Sequence, residues 1–372
     1  MDLKQEFVLR AQAPDRNLSA LCREAGISRK TAYFWLKRFE EGGADALEER
    51  VHGRKPMKDG SAELVLRIVE LRRHPDSRFW GPKKLKVVLE RELDAVPSVR
   101  TIARVCKRLE LAPLRTKPVH RVTRAKREGG ALRTTQCNAI WTFDFKGWWK
   151  TQDGRRFEPL TVRDAATRFI LLCVHCPETV EAVKAHCEKV FARYGVPALI
   201  RADNGPPFAA ANAMGGLSRL SAWWMSLGIT VDFSRSATPS DNGAHERMHG
   251  DVQRELAKAP AANTAAQQLL VDHWVRVFNT RRPHEALGQR TPASMYRRSK
   301  TKMKDVIPTY PAGDRVCRVS SRGRVAMDGY QRFIGTVFAG MKVGLRLFDG
   351  EIYARFFHME LGALRSVPQK NR

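Results

Sequence analysis

The chain has 372 residues and a formal net charge of +27, a length that allows two to four domains. The charge predicts a polyanionic partner, because Lys and Arg release condensed counterions when they contact phosphate groups. Seven scattered cysteines exclude a disulfide framework, and the lack of a long apolar run excludes a membrane-spanning segment, so we expect a soluble cytoplasmic protein.

The first segment, residues 1–56, has the pattern of a helix-turn-helix. Residues 18–25 predict a short helix, Gly26 permits a turn, and Ser28 can cap a second helix over residues 29–40. The first turn of that second helix carries side chains suited to the major groove of DNA: Arg29, Lys30, Thr31 and Tyr33. A small helical bundle with a solvated basic face is the alternative, but turn, cap and basic helix start coincide and favour DNA binding.

A similar plan recurs in residues 57–111. Apolar periodicity predicts helices over residues 62–74 and 82–93, and Ser98 can cap a third helix over residues 99–109. The third helix carries four basic residues: Arg100, Arg104, Lys107 and Arg108. Two tandem helix-turn-helix units would bind a long composite DNA site, whereas a plain helical scaffold is the alternative for the second unit.

Residues 112–135 form a basic segment without hydrophobic periodicity, in which Glu128 is the single acid. Its proline and glycine content predicts a flexible linker that lies along a phosphate backbone. A solvated linker without contacts is the alternative. The basic residues assigned to DNA binding here are Arg121, Arg124, Lys126 and Arg127.

Residues 136–296 change to a mixed pattern of strands and helices. Residues with β propensity predict three strands, over residues 139–146, 155–162 and 169–175. Asp153-Gly154 is predicted to form the hairpin turn between the first two strands, and a helix over residues 178–194 precedes a short buried strand over residues 197–202. This order of elements is that of a ribonuclease H-like α/β fold, in which the first and fourth strands are neighbours.

The last part of the chain is predicted to be a small β-barrel of about five strands, residues 308–372, after a basic linker, residues 297–307. Short β-forming runs are separated by Asp-Gly pairs, a strong signal for two-residue hairpins. The whole chain is therefore predicted to be multidomain, with all-α tandem helix-turn-helix units, a central α/β core and a C-terminal β-barrel.

Three carboxylates stand in distinctive settings within the predicted core: Asp144, Asp203 and Glu246. Together they could hold two divalent cations about 4 Å apart, which can clamp an in-line displacement at phosphorus. Each residue also has a structural alternative. Asp144 could form a buried ion pair, Asp203 an Asx turn, and Glu246 a favourable interaction with a helix dipole.

The motifs around these acids resemble those of IS481-type DDE transposases, relatives of IS3 transposases and retroviral integrases. The matching segments are Trp141-Thr-Phe-Asp144-Phe-Lys-Gly-Trp148, Pro159-Leu-Thr-Val-Arg-Asp164, Ala202-Asp-Asn-Gly-Pro-Pro-Phe208, Gly216-Leu-Ser-Arg-Leu220, Asn242-Gly-Ala-His-Glu-Arg-Met-His249 and Asn279-Thr-Arg-Arg-Pro-His-Glu-Ala-Leu287. Similarity extends over nearly the whole chain. The set is specific, whereas any single motif would be weak.

The resemblance implies a DNA transposase that acts on double-stranded DNA as a homo-oligomer. Its helix-turn-helix units would bind the terminal inverted repeats of an insertion element. The three carboxylates would bind two Mg²⁺ ions, which Mn²⁺ can replace, for DNA cleavage and strand transfer. Asp241 competes with Glu246 as third acid, and we prefer Glu246 because the family motif places its acid in the Glu246-Arg247-Met248-His249 run.

Several further residues have both functional and structural interpretations. His245, His249, Arg247 and His284 could contact a phosphate or could pack in the core. Asp164 is predicted to be structural. A zinc site formed by Cys173, Cys176, His186 and Cys187 is disfavoured by its spacing, and we expect the tryptophans at 148, 149, 223 and 224 to lie in the core rather than to stack on bases.

Two other functions remain as alternatives to a transposase. An inactive or domesticated transposase would act only as a DNA-binding regulator, but would have no reason to retain three carboxylates. A ribonuclease acting on RNA–DNA hybrids would share the core fold but would not explain the tandem helix-turn-helix units.

Overall fold

The computed structural model describes residues 3–47, 61–111, 134–234 and 243–364. Asp241 and the linker residues Arg121, Arg124, Lys126 and Arg127 lie outside these ranges. The contacts divide the chain into two units, Met1–Asp59 and Gly60–Arg372. Among the described helices, none combines the length and the apolar character needed to cross a lipid bilayer.

The N-terminal unit contains three helices: α1 Leu3–Ala11, α2 Leu18–Glu24 and α3 Arg29–Gly42. The predicted turn and cap are confirmed, because Ser28 accepts a hydrogen bond from the backbone of Thr31 and Gly26 has a φ of +66°. Phe7, Val8 and Ala32 form part of a shared core with less than 5% exposure. The helix α1 was not predicted, and it supplies much of the apolar surface on which α3 packs.

Three further helices begin the second unit: α4 Ala62–Arg73, α5 Pro82–Leu89 and α6 Val99–Arg108. Ser61 and Ser98 cap α4 and α6 as typical N-caps. The prediction that α5 extends to residue 93 is wrong, since Arg91 and Glu92 already donate to carbonyls three residues back in a tight turn. The three helices enclose one hydrophobic core, which also contains Val277 from the central region.

The central sheet has five strands, and a small two-stranded ribbon lies beside it. The ribbon strands are β2 Trp149–Lys150 and β3 Arg156–Phe157; the sheet strands are β1 Ile140–Phe145, β4 Pro159–Asp164, β5 Ile170–His175, β6 Leu199–Ala202 and β7 Thr230–Phe233. The sheet order is β5-β4-β1-β6-β7, with β4 and β5 antiparallel and β6 and β7 parallel to their neighbours. The predicted adjacency of the first and fourth sheet strands is confirmed.

Two details of the sheet correct the prediction. The turn at Asp153-Gly154 joins β2 to β3 and therefore does not join the first two sheet strands. The strand β7 was not predicted, because its four residues are too few to show a clear alternation.

Helices cover both faces of the sheet. On one face, α7 Val180–Tyr194 and α8 Arg219–Ser226 pack against Trp141 and Phe143. On the other face lie α9 Gly243–Val252 and α10 Thr264–Thr280, which share a second core with Ile170. Since side chains alternate along a strand, Thr142 and Asp144 point toward the face that carries α9.

The C-terminal region begins after a short helix, α11 Pro292–Met295, and residues 297–307 follow the core in an extended conformation. This predicted linker is bonded to the core: Ser299 N donates to Tyr194 O at 2.8 Å, and Val306 N donates to Ser226 O at 2.8 Å. Six strands follow: β8 Arg315–Arg318, β9 Arg324–Met327, β10 Tyr330–Phe333, β11 Lys342–Phe348, β12 Glu351–Phe356 and β13 Met359–Ala363.

These six strands form two antiparallel sheets, of order β13-β12-β11-β8 and β10-β9. Both predicted Asp-Gly hairpins are confirmed, with positive φ at Asp328, Gly329, Asp349 and Gly350. The predicted count of about five strands is corrected to six. The turn of the β9-β10 hairpin was predicted, but its second strand was not delimited, because that strand is mostly exposed and shows no apolar alternation.

Candidate active site

The register between β1 and β6 brings two of the three predicted acids together. Thr142 pairs with Arg201 in the parallel ladder, and the same register continued by two residues sets Asp203 level with Asp144. Asp144 lies near the end of β1 with a side chain that is 13% exposed. Asp203 follows β6 directly and is exposed. The two carboxylates therefore meet at one edge of the sheet.

The helix α9 brings the third acid to the same edge. Burial, together with the nearby carboxylates of Asp203 and Glu246, raises the pKa of Asp144 to about 8 against an opposing effect of Lys146. Asp144 and Asp203 are also hydrogen-bonding neighbours. Such crowding of negative charge is unfavourable unless a proton or a cation compensates it. The structure thus brings together Asp144, Asp203 and Glu246.

Hydrogen bonds fix α9 on the sheet. The ring nitrogens of His245 lie 2.8 Å from the hydroxyl of Thr142 and 2.6 Å from that of Thr161. His249 Nε2 lies 2.9 Å from the same Thr161 hydroxyl. Arg163 adds a bond from Nη1 to Ala244 O at 2.6 Å. These contacts set the height and rotation of the helix and hence the position of Glu246.

Asp144, His245 and His249 also form a group whose ligand atoms lie within 4.8 Å of one another. Burial lowers the pKa of His249 to about 3 and that of His245 well below its usual value, so both rings are neutral. Both nitrogens of His245 already contact threonine hydroxyls. The two histidines therefore pack α9 on the sheet and orient it, and their contact with a phosphate stays a prediction.

The donor set at the sheet edge fits hard divalent cations. Carboxylate oxygens are the ligands that Mg²⁺ and Mn²⁺ prefer, and three of them converge here around the partly buried Asp144. A bound cation would replace the proton that the raised pKa of Asp144 otherwise retains. The two acids on the rim, Asp203 and Glu246, are exposed and accessible to solvent ions.

The residues predicted to bind DNA lie on helix surfaces. In α3 the side chains of Arg29, Lys30 and Tyr33 are exposed, while Thr31 is half-buried and contacts the capping Ser28 hydroxyl at 2.9 Å. In α6 the exposed basic residues are Arg100, Lys107 and Arg108, and Arg104 is half-buried. Both helices therefore present basic surface, as a role in DNA binding requires.

Other residues singled out in the sequence have structural roles. Asp164 is fully buried and accepts hydrogen bonds from Asn138 N and from the backbone and hydroxyl of Thr167. Cys173, Cys176 and Cys187 are buried thiols. Among the tryptophans, 149 and 224 are buried and 223 packs against the core, as expected. The expectation that Trp148 lies in the core is wrong, since it is 52% exposed beneath the guanidinium of Arg156.

A basic cluster next to α9 was missed by the sequence analysis. Arg163 is only 2% exposed, although its charge lies within a strand that is buried along its whole length. Arg168 and Lys84 lie beside it around one cavity. The signal that could have identified the cluster was the charged pair Arg163-Asp164 within a buried strand, where a charge is costly without a partner.

Sequence comparisons identify the domains. Residues 134–239 and residues 227–292 each match a family described as integrase core domain. Residues 3–56 match a helix-turn-helix domain family, and residues 31–106 match a homeodomain-like domain family. The chain is thus a multidomain protein with N-terminal helix-turn-helix domains and a central integrase core.

Individual relatives include proteins of insertion elements and retroviruses. The chain is 27% identical over 280 residues to an uncharacterized 31.7 kDa protein of insertion element IS407 from Burkholderia multivorans, covering 73% of this chain and 87% of that protein. It is 26% identical over 186 residues to the Gag-Pol polyprotein of baboon endogenous virus, covering 48% of this chain but only 10% of the polyprotein.

Together these matches show integrase core and helix-turn-helix domains similar to those of IS3-type transposases and integrases. They do not separate the IS481 type from its relatives, so that type remains a prediction. Similar solved structures include the catalytic core of BIV integrase, at 22% identity and a TM-score of 0.32 over 43% of this chain and 93% of that chain. Another is the HTLV-2 integrase core in complex with magnesium, at 16% identity and a TM-score of 0.30 over 44% of this chain and 97% of that chain.

Proposed function

We propose that this protein is a DNA transposase that cleaves and joins DNA strands at the ends of an insertion element. The observation that carries the proposal is the convergence of Asp144, Asp203 and Glu246 at one sheet edge, where the first is buried among the charges of the other two. Similarity to integrases and transposases supports the same reaction class.

The three carboxylates would hold two Mg²⁺ ions, or Mn²⁺ in their place. When bound, such ions supply Lewis acidity and lower the pKa of a water or hydroxyl nucleophile. The protein itself then needs no side-chain nucleophile. Its contribution is to hold three oxygen donors in place: Asp144 by the β1 ladder, Asp203 by the end of β6, and Glu246 by the anchored helix α9.

The helical units would supply recognition of double-stranded DNA. The exposed first turn of α3 would read bases in the major groove, and the basic residues of α6 would contact a second part of the site. The positive net charge would add affinity for any DNA. We further propose that the active form is a homo-oligomer that pairs two element ends, and that it acts on DNA in the bacterial cytoplasm.

Strand transfer of a labelled element end tests the proposal. In the presence of Mg²⁺, the wild type should join the labelled end to target DNA, and Asp144→Asn should lose this activity while it retains DNA binding. Asp349→Asn is the matched control, because Asp349 lies in a distant hairpin turn with a φ of +48° that Asn also tolerates. Equal activity of Asp144→Asn and wild type would refute the assignment. Strong binding with no cleavage in any divalent cation would instead indicate a DNA-binding regulator.

A further inference from the structure

A cavity of about 220 Å³ lies between α5, α9, the turn after β4 and the segment that follows α10. We call it the basic pocket. The side chains that give it positive charge come from a helix, a strand, a turn and a second helix: Lys84, Arg163, Arg168 and Arg247. Its volume is several times that of a water molecule and is sufficient for a phosphate group with part of its hydration.

The acidic residues at the basic pocket do not neutralise these charges. Asp251 already binds Arg282 at 2.7 Å and Arg254 at 2.5 Å. Glu285 binds Lys83 at 2.5 Å on the exposed side. The charges of both acids are thus shared with cations that do not belong to the basic cluster. The pocket has an excess of positive charge, which an anion would compensate.

Arg163 gives the strongest indication of a ligand. Its side chain is 2% exposed, and its Nε has no hydrogen-bond partner within the described part of the chain. Burial, together with the nearby charges of Arg168 and Arg247, lowers the pKa of Arg163 to about 9. An unpartnered buried guanidinium N–H is costly, and an oxyanion in the cavity would satisfy both its hydrogen bond and its charge.

The remaining members of the pocket are held in place by the fold. Arg168 has a φ of +62°, a conformation that its backbone bond to Asp164 O and the buried Asp164 turn maintain. Burial and the charge of Arg282 lower the pKa of Lys84 to about 8. His284 Nε2, also without a partner among the described residues, lies at the same cavity.

The basic pocket lies beside the three carboxylates. Arg247 follows Glu246 directly on α9 and lies exposed at the rim of the cavity. Arg163 is opposite Thr142 in the β1–β4 ladder, two residues from the pair formed by Asp144 and Thr161. A polyanion that reaches the carboxylates therefore passes the opening of the pocket.

We propose that the basic pocket binds a backbone phosphate of the DNA strand that enters the carboxylate site, next to the scissile phosphate. This inference rests on the proposed action on DNA and assigns the binding position of a second phosphate. Lys84 belongs to the second helical unit, so the contact also links that unit to the catalytic core through the DNA. The pocket positions the strand and takes no part in bond cleavage.

The first test uses inorganic phosphate as the probe and thermal unfolding of the full chain as the readout. At constant ionic strength, phosphate in place of chloride should raise the unfolding temperature, because a ligand bound only by the folded state stabilises it. The double variant Lys84→Gln/Arg168→Gln should lose most of this rise, whereas Arg168→Lys should keep most of it. The control Lys189→Gln, an exposed residue of α7 on the opposite face of the sheet, should keep all of it.

The second test measures DNA affinity in metal-free buffer as a function of salt, with a duplex taken from the sequence flanking the reading frame. The slope of log affinity against log salt should fall by about 0.9 in the double variant, the value for one lost phosphate contact, and should not change in Lys189→Gln. The proposal is supported if the double variant loses the phosphate-dependent rise in unfolding temperature and also has the smaller salt slope. If the rise is lost but the slope is unchanged, the pocket binds an adventitious ion only. If neither the rise nor the slope changes, the proposal is overturned. Neither measurement requires strand transfer, so a failure of the proposed function would be seen separately.

Discussion

At the scale of single residues, the chemistry depends on how Asp144 is placed. Its strand is paired on both sides, so its carboxylate is partly buried and cannot move away from Asp203 and Glu246. The resulting repulsion raises the pKa of Asp144, and a divalent cation would relieve it. Thr161, opposite Asp144, donates its hydroxyl to Asp144 O at 2.8 Å and also contacts both histidines of α9.

Glu246→Gln should separate binding from chemistry. The substitution keeps the shape of the side chain and removes its charge, so the variant should fold and bind DNA but should lose strand transfer by at least two orders of magnitude, as for the loss of a group that acts on the reacting atoms. Strand transfer in Mg²⁺ and in Mn²⁺, together with DNA affinity, gives the measurement.

Asp241→Asn is the matched comparison for Glu246→Gln. Asp241 lies outside the described residues, and we predict that it does not bind metal, so Asn, which keeps its size and a hydrogen-bonding oxygen, should replace it with little effect. Most activity should therefore remain. An inactive Asp241→Asn with an active Glu246→Gln would make Asp241 the third acid and would show that the motif alignment is displaced.

At the scale of elements, hydrogen bonds and ion pairs between specific residues hold the helices in place around the central sheet. The second helical unit is joined to α10 by Asp76, whose carboxylate is 8% exposed and accepts from His273 at 2.7 Å and from Arg281 at 2.7 Å. Val277 of α10 extends the apolar core of that unit. This docking also places Lys84 of α5 at the basic pocket.

Asp76→Ala should loosen the second helical unit from α10. The substitution leaves Arg281 and His273 without their shared acceptor. Because both side chains are about half exposed, we expect the free energy of unfolding to fall by only about 1–2 kcal/mol. Hydrogen exchange of α4 and α10 should become faster and the unfolding temperature should fall. Asp94→Asn, an exposed acid of the same unit, should have no effect. If hydrogen exchange of α4 and α10 were unchanged in Asp76→Ala, apolar contacts alone would hold the second helical unit against α10.

At the scale of the whole molecule, the chain has a large positive net charge, whereas its candidate active site is acidic. The net charge of +27 favours association with any polyanion, while the carboxylates would repel DNA in the absence of cations. Metal ions and DNA would therefore bind the centre more strongly together than separately. The two helix-turn-helix units and the basic segment between residues 112 and 135 would distribute the remaining affinity along the DNA.

Neutralising the basic segment should weaken DNA binding without a change in specificity. The variant that replaces Arg121, Arg124, Lys126 and Arg127 with Gln should bind all sequences less tightly and should flatten the plot of log affinity against log salt, since fewer counterions are released. Titrations at several salt concentrations with two unrelated duplexes give the measurement. A change of preference between the duplexes at a constant slope would show that the segment reads bases.

The sequence by itself determined the local elements and the resemblance to integrases and transposases. Caps such as Ser28 and Ser98 and the Asp-Gly turns are local properties, so short stretches of sequence encode them. Asp144, Asp203 and Glu246 could be identified as candidate metal ligands from the sequence for the same reason, because each lies in a short motif. These are the features for which residues near in sequence supply the interactions. The strand order around β1 was predicted from the order of strands and helices along the chain.

Only the tertiary structure decided which distant residues meet. The parallel register set Asp203 beside Asp144, and the packing of α9 turned Glu246 toward them and assigned His245 to a buried network. The basic pocket combines a strand, a turn and two helices whose residues are far apart in sequence. Such contacts depend on register, helix rotation and burial, which arise from the packing of the whole unit and leave no periodic signal in the sequence of any one segment.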